Sequence, residues 1–335
     1  MATNGDAVKV VPVRHYGQWI AAAVAMVLVA MLVHSIFSKL PTGQYACRVV
    51  SGVRKCHALS EWRFSWNVVG HYFTTSEILH GLVVTLELTV LAMLVGVVLG
   101  VTIAVMRLST NRLLSSTAWT YTWFFRGTPV LVQLLVWYNI AILYPVISIG
   151  IPFTHIAFVH FNLRASGFTP FLAALVGLGL NEAAYMSEIA RAGLIAVDEG
   201  QIEAATSLGM TRRQTLRLVV LPQAMRVIIP PTGNEVISML KTTSLASVVG
   251  VIELLGAASN IYAANYLIMP LLITASLWYL VVTTVLSVGQ FYLERHFAKG
   301  ALRSPPLTPL QRLRRDLLGV LSKFYTRRAS IEAVR

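Results

Sequence analysis

The chain has 335 residues, of which 56% are hydrophobic and only 12% carry a charged side chain. Soluble domains carry roughly 25% charged residues, so the composition excludes a soluble protein of two or three domains. Several apolar stretches reach the length, roughly 20 residues, that crosses a bilayer. A formal net charge of +13 would suggest nucleic acid in a soluble protein, but in a membrane protein it mainly sets the orientation.

The apolar segments predict an all-α membrane protein with about six transmembrane helices. The predicted spans cover residues 19–37, 78–106, 117–144, 168–190, 227–252 and 267–292. We interpret the first as a retained helix, because it is longer than the apolar part of a signal peptide. Gly96 and Gly100 in the second span have a spacing that lets helices approach closely. Pro129 predicts a kink or a helix start in the third, and the sequence KTTS, from Lys241, interrupts the fifth.

Lysine and arginine are distributed unevenly between the predicted loops. With the N terminus inside and six crossings, most of them fall in inside segments, above all in residues 191–226 and in the tail after Glu294. Cytoplasmic loops hold such an excess, so both termini are predicted to be cytoplasmic. The first outer loop departs from this rule. It contains both cysteines, Cys47 and Cys56, which form either a disulfide or two unpaired thiols.

A polar, basic segment, EAATSLGMTRRQTLRLVVLP, covers residues 203–222 between the fourth and fifth spans. It predicts a short helix, a break at Gly209 and a second helix up to Leu221, after which Pro222 stops that helix or restarts the next. A helix-turn-helix DNA reader needs a core of roughly three helices, which a segment held between two membrane spans does not supply. A solvated loop predicts no such ordered pattern. The pattern favours a short helix that docks on a partner.

This segment resembles the EAA loop of the permease subunits of ATP-binding-cassette importers. The matching residues are Glu203, Ala204, Ala205, Gly209, Val219, Leu221 and Pro222. Val219 stands where Ile is commoner. The resemblance implies a type I importer permease fold, in which a short cytoplasmic coupling helix from Glu203 to Gly209 docks in a groove of the ATPase subunit. Ala204 and Ala205 would let that partner approach closely.

Four further stretches are similar to importers of polar amino acids, of the histidine, glutamate, glutamine, arginine and opine type. They cover residues 81–100, 124–134, 183–194 and 240–255. Thr242 departs from the family pattern, because many relatives have Asp there. The resemblance covers about residues 64–297. It implies an N-terminal segment with an extra helix and an outer loop (1–76), a permease domain (77–297) and a basic cytoplasmic tail (298–335).

The resemblance also implies partners and a location. The expected partners are a dimer of ATPase subunits, a second permease subunit that is identical or paralogous, an extracytoplasmic solute-binding protein, the lipid bilayer and the amino acid, with no nucleic acid. The expected location is a bacterial plasma (inner) membrane. The sequence has no G-x-x-x-x-G-K-[ST] motif. We therefore expect no enzymatic activity, cofactor or metal in this chain, and Mg-ATP only in the partner ATPase.

Ionisable groups inside a bilayer are costly and mark functional sites. A zwitterionic amino acid needs both a carboxylate and hydrogen-bond donors, and Glu182 is the predicted partner of its ammonium group. The candidate substrate-path residues are Gln133, Asn181, Glu182, Tyr185, Glu188, Lys241, Thr243 and Ser244. Each has an alternative as polar packing between helices, and Glu188 has the spacing to pair with Arg191. The pocket could also belong to the partner permease.

Two other classes of protein were weighed. A secondary amino-acid transporter driven by an ion gradient would use Glu87 or Glu182 as a proton site and would not need residues 203–209. A membrane-embedded enzyme is disfavoured, because the eight histidines are scattered and no nucleophile–base or metal-ligand set is recognisable.

Overall fold

The structure is a computed structural model that describes residues 24–31, 33–34, 45–50, 53–58, 66–150, 157–162, 168–297 and 315. Its helices are α1 (24–31), α2 (Trp66–Phe73), α3 (Ser76–Arg107), α4 (Arg112–Gly127), α5 (Val130–Leu143), α6 (Pro170–Ile195), α7 (Glu199–Ser207), α8 (Arg212–Thr215), α9 (Leu221–Thr242), α10 (Leu254–Asn265) and α11 (Ile268–Phe297). A π-helical turn, Leu216–Val220, joins α8 to α9, and a 3-10 turn, Thr243–Val249, follows α9. The predicted helical membrane fold is confirmed.

Among the described residues, α3 with 32 residues and α11 with 30 are each long and apolar enough to cross a membrane. A third crossing results if the segment Arg212–Val249 and α10, which meet at 44°, count as one bent span. Helix α6 has 26 residues, enough for a hydrocarbon layer of about 30 Å, but its polar side chains make it less apolar. Predicted spans two, four, five and six thus correspond to α3, α6, α9 and α11. Span one is helical at residues 24–31 and otherwise falls mostly outside the described residues.

Helices α3 and α6 form the centre of the fold. A Cβ atom at Gly96 would lie 2.5 Å from Cγ of Glu182, and one at Gly100 would lie 2.6 Å from Cβ of Met186. Carbon atoms pack best at about 3.5–4.0 Å, so a side chain at either glycine would push the helices apart. The close approach predicted from the glycine spacing is therefore confirmed. The surrounding core cluster includes Leu88, Leu134, Leu178, Met239 and Val249.

The third predicted span is broken into α4 and α5. Helix α4 ends at Gly127, and Pro129 is the N-cap residue of α5. Proline disfavours helical backbone in the residue before it, and Thr128 is accordingly extended, with φ −113° and ψ 144°. Gln133 Nε2 closes the break by donating to the carbonyl and the hydroxyl of Thr128 at 3.1 and 2.7 Å. The predicted helix start after Pro129 is confirmed.

A buried carboxylate joins α3, α10 and α11. Glu253 is the N-cap residue of α10 and accepts from two backbone N–H groups of its first turn, at 2.9 and 2.7 Å. It also accepts from the Tyr279 hydroxyl at 2.9 Å, and Thr85 Oγ1 accepts from the Leu254 N–H at 3.0 Å. These bonds satisfy the buried polar groups and fix a turn that the sequence did not predict.

Two β-hairpins lie in loops between the predicted spans. Strand β1 (Tyr45–Val50) pairs antiparallel with β2 (Val53–Ala58), and β3 (Val146–Gly150) pairs antiparallel with β4 (Ala157–Asn162). The all-α prediction thus holds for the membrane helices and not for these loops. The register places Cys47 opposite Cys56. Directly opposed residues of an antiparallel ladder have Cα atoms about 4.5–5.5 Å apart, which suits a disulfide, and the disulfide itself stays a prediction.

Candidate functional site

A polar cavity of about 520 Å³ lies where the break between α4 and α5 faces α6 and α9. Irregular backbone at membrane depth is tolerated where it is buried in protein or lines a cavity, so the break and the cavity belong together. The polar lining comes from Arg126 and Thr128 at the break, from Asn181, Glu182 and Tyr185 on α6, and from Glu235, Ser238 and Thr242 on α9.

Glu182 provides a buried carboxyl group in this lining. It is 3% exposed, and its Oε1 has no hydrogen-bond partner among the described residues. A buried polar atom without a partner costs free energy, so a donor from a bound ligand would stabilise it. Glu235 interacts electrostatically with Glu182 from the facing helix. The two carboxylates make this part of the cavity suitable for a cationic group.

The broken span supplies positive charge to the cavity lining, through Arg126 and the N terminus of α5. The guanidinium carbon of Arg126 lies 5.2 Å from the ring centroid of Tyr185, a distance at which cation and ring attract. Pro129 and Val130, at the start of α5, also line the cavity, and no side chain caps the first N–H groups of α5. A helix N terminus carries a partial positive charge and binds anions. The cavity therefore offers groups for both an anion and a cation.

The structure brings Asn181, Glu182 and Tyr185 together, as the sequence predicted. Gln133 adjoins them without lining the cavity. Its Oε1 accepts from Asn181 Nδ2 at 3.1 Å, and its Nε2 donates to the Phe125 carbonyl at 2.9 Å. Gln133 is 5% exposed. Its bonds place it in helix packing rather than on the substrate path.

Glu188 does not line the cavity. Its Oε1 accepts from Arg107 Nη1 at 2.9 Å, and its Oε2 accepts from Arg191 Nη2 at 2.8 Å. Arg107 also donates to Thr122 Oγ1 at 2.8 Å. The pairing of Glu188 with Arg191 that the sequence suggested is thus present, and Arg107 and Thr122 extend it into a network across α3, α4 and α6.

Lys241, near the end of α9, and Thr243 and Ser244, in the 3-10 turn that follows, do not line the cavity. Lys241 is exposed. Thr243 is fully buried, and its hydroxyl donates to the Leu240 carbonyl at 2.7 Å. The Ser244 hydroxyl donates to the Lys241 carbonyl at 2.6 Å. Their place on the substrate path is not supported by the structure.

Sequence reasoning did not include Arg126, Glu235, Ser238 and Thr242 among the substrate-path residues. Glu235, Ser238 and Thr242 are spaced by three and four residues on α9, which places them on one helix face. This row of polar side chains on one face of α9 is a sequence pattern from which the three α9 residues could have been predicted.

The segment 203–222 is a folded unit rather than a solvated loop. Asp198 caps α7 by accepting from the Gly200 N–H at 2.8 Å. At the other end, the Gly209 N–H donates to the Thr206 carbonyl at 2.9 Å, and the Met210 N–H donates to the Ala205 carbonyl at 3.1 Å. These two bonds and the left-handed φ of 77° at Gly209 form a Schellman motif. The predicted short helix with a break at Gly209 is confirmed.

Within α7, the two motif alanines face opposite environments. Ala204 is exposed, together with Glu203, whereas Ala205 is 4% exposed. The prediction that both alanines let a partner approach therefore needs correction, because Ala205 packs within this chain, whereas Glu203 and Ala204 are exposed.

The end of the motif shapes the entry into α9. Pro222 lacks the N–H that would bond to the Leu218 carbonyl, and the Leu221 N–H bonds to the Leu216 carbonyl, five residues back. That is the bonding pattern of a π helix. Pro222 lies in the first turn of α9. Because α8, the π turn and α9 form one continuous segment, the prediction that the second helix ends at Leu221 is wrong.

Apolar membrane helices, a broken span around a polar cavity and a capped polar helix between two spans define a membrane transport subunit. The chain belongs to the family of binding-protein-dependent transport system inner membrane components, whose model matches residues 96–299.

Individual relatives agree with this assignment. The chain is 43% identical over 294 residues to the arginine transport system permease protein ArgU of Corynebacterium glutamicum, a match that covers 88% of this chain and 84% of ArgU. It is 39% identical over 217 residues to the nopaline transport system permease protein NocM of Agrobacterium fabrum, covering 63% and 86%. The crystal structure of an amino acid ABC transporter with histidines superposes with a TM-score of 0.58 at 36% identity, covering 70% of this chain and all of that one.

These similarities favour the ABC permease over a secondary transporter. The structure agrees for one of the proton sites weighed above, because Glu87 is exposed on α3 and does not line the cavity. Membrane localisation follows from the family and from the apolar helices α3 and α11.

Proposed function

We propose that this chain is the transmembrane permease subunit of an ATP-binding-cassette importer of polar amino acids. The observation that carries the proposal is the cavity, whose lining combines Arg126 and the start of α5 with the buried Glu182, whose Oε1 has no hydrogen-bond partner among the described residues. The family match and the relatives named for arginine and nopaline support it. A cavity of about 520 Å³ falls within the range of small-molecule sites.

The proposed partners are two ATPase subunits, a second permease subunit and an extracytoplasmic solute-binding protein. The chain carries no phosphate-binding loop of the ATPase type, so ATP hydrolysis belongs to the partner subunits, with Mg-ATP bound there. Helix α7 would dock on an ATPase subunit and transmit its movement through the π turn to α9, which lines the cavity. The excess of basic residues in 191–226 and in the tail supports cytoplasmic termini.

The charges of the cavity favour a cationic amino acid. One guanidinium, Arg126, and the α5 N terminus suit the substrate carboxylate. Glu182 and Glu235 together offer two carboxyl groups, and a cationic amino acid would stabilise the ionised form of both, one beside its α-ammonium group and one beside its cationic side chain. A neutral amino acid would leave one carboxylate without a counter-charge. The relative named for arginine supports this choice of substrate class.

The test is ATP-driven uptake by the complete importer in proteoliposomes. Glu182→Gln should raise the KM for a cationic amino acid about 10- to 100-fold, because charge-assisted hydrogen bonds contribute about 1.5–3 kcal/mol. Glu87→Gln is the matched control, since that carboxylate is exposed outside the cavity, and its KM should match that of the wild type. Unchanged kinetics of the Glu182 variant, in a complex of normal stability, would exclude the cavity as the substrate site.

A further inference from the structure

Leu208, at the C-terminal end of α7, has a solvent-exposed apolar side chain. It is 82% exposed, more than any other large apolar side chain in the described residues. Glu203, before it in the sequence, and Arg212, after it, are exposed polar residues. A single exposed leucine is ordinary on a protein surface. Exposure alone therefore does not indicate a binding role, and the backbone of the turn has to be considered as well.

The Schellman motif fixes Leu208 in that position. Leu208 is the C-cap residue of α7, and its N–H donates to the Ala204 carbonyl at 3.1 Å. The apolar contact that usually closes this motif joins the residue after the glycine to the helix. Here those positions are Met210, which is partly buried, and Ala205, which is buried. Leu208 is left out of this contact, so it contributes little to the fold of its own chain.

The position of Leu208 relates it to the motif face. It follows Ala204 by one helical turn, and residues four apart lie on one side of a helix. Ala204 adds no bulk to this side of the turn, where Leu208 is an exposed apolar side chain. Arg212, Arg213 and Arg217 are exposed on the segment that follows. A complementary partner therefore has an apolar pocket bordered by acidic side chains.

We propose that Leu208 is the anchor by which the coupling helix holds the ATPase subunit, seated in an apolar pocket with an acidic rim on that partner. This inference rests on the proposed function, and it names the residue that supplies most of the docking affinity. A central apolar side chain, surrounded by contacts that contribute little, is the usual distribution of binding energy in an interface. Glu203 and the arginines orient the partner, and burial of Leu208 holds it.

The experiment measures the affinity of the purified ATPase subunit for the permease in lipid nanodiscs. Leu208→Ala should raise the Kd about tenfold or more, and Leu208→Met, which keeps the apolar volume, should restore binding. Leu113→Ala is the matched control, because Leu113 is 79% exposed at the start of α4, and its Kd should be that of the wild type. High salt should weaken every variant but leave the ratio between Leu208→Ala and the wild type unchanged, since salt screens charges and not apolar contacts.

A second variant separates the two proposals. Ala204→Arg adds bulk to the exposed helix face and should abolish binding if α7 docks at all. Weak binding of Ala204→Arg together with unchanged binding of Leu208→Ala would overturn the anchor and leave the coupling helix in place. Unchanged binding of both variants would overturn the anchor and the docking of α7 alike. Because Leu208 is so exposed, its variants should melt like the wild-type permease.

Discussion

A methyl group at Gly96 on α3 should disturb the cavity, because Gly96 packs against Glu182, which lines the cavity from α6. The Cβ atom of Gly96→Ala would lie 2.5 Å from Cγ and 2.8 Å from Cβ of Glu182. Relief requires a movement of about 1 Å, by the Glu182 side chain or by α3 relative to α6, because carbon atoms pack best at about 3.5–4.0 Å. We expect α3 and α6 to separate and to carry Glu182 with them, because the Cβ atom of Glu182 is fixed to its backbone and rotation of the side chain cannot relieve the 2.8 Å contact.

The expected loss of stability is small and the expected loss of transport is large. Overpacking costs about 1–3 kcal/mol, and replacing glycine by alanine within a helix returns up to about 1 kcal/mol. The net destabilisation is therefore about 0–2 kcal/mol. A displaced Glu182 loses its interaction with the substrate cation, which should raise the KM about 10- to 100-fold.

The assay is ATP-driven uptake of a cationic amino acid in proteoliposomes, together with thermal unfolding of the permease in detergent. Gly289→Ala is the matched control, because a Cβ atom there meets no atom of the described residues within 4 Å, and its KM should be unchanged. Wild-type kinetics and stability of Gly96→Ala would refute the contact of α3 with Glu182. Collapse of the fold would show that a small separation of α3 and α6 cannot take up the strain.

Three further outcomes are expected. Gly209→Ala should cost about 1–2 kcal/mol through its positive φ without any clash in this chain, so a greater loss of ATPase stimulation than of thermal stability would locate the partner at this turn. Glu188→Gln should lower the unfolding free energy by about 1–2 kcal/mol, because Arg107 loses its carboxylate, and an unchanged melting curve would contradict the network. Cys47 and Cys56 should resist alkylation until a reductant is added, and immediate labelling of both would exclude the disulfide.

The predicted parts of the fold are those that depend on local sequence. Helices α3 and α11 follow from long apolar runs, and the break in the third span follows from Pro129, whose ring restricts Thr128. The break at Gly209 in residues 203–222 also follows from local sequence, since a chain that turns sharply after a helix needs a residue that tolerates a positive φ.

The remaining parts depend on contacts between distant residues. Glu253 caps α10 through partners on α3 and α11, and no local pattern reveals that arrangement. The two hairpins escaped prediction because their strands lack the regular alternation that marks a half-buried sheet.

In the candidate site, too, some residues could be predicted from local sequence and others depend on the folded structure. Asn181, Glu182 and Tyr185 were predicted because polar residues in an apolar helix are conspicuous. Thr243 and Ser244 looked equally suitable in sequence, but the 3-10 turn gives their hydroxyls backbone carbonyls as partners.

Ala205 illustrates a limit of motif reasoning about the coupling loop. The motif gives Ala204 and Ala205 the same residue type at neighbouring positions, yet a helix directs neighbours about 100° apart. One therefore faces outward and the other is buried.

The most direct test of the proposed function is the energy source of uptake. The permease should be reconstituted with its ATPase subunits, its partner permease and the solute-binding protein, and uptake of a cationic amino acid should be followed with and without ATP. We predict uptake that requires ATP hydrolysis and survives ionophores that collapse proton and sodium gradients. Uptake by the permease without the ATPase subunits, driven by an ion gradient and abolished by ionophores, would contradict the proposed function.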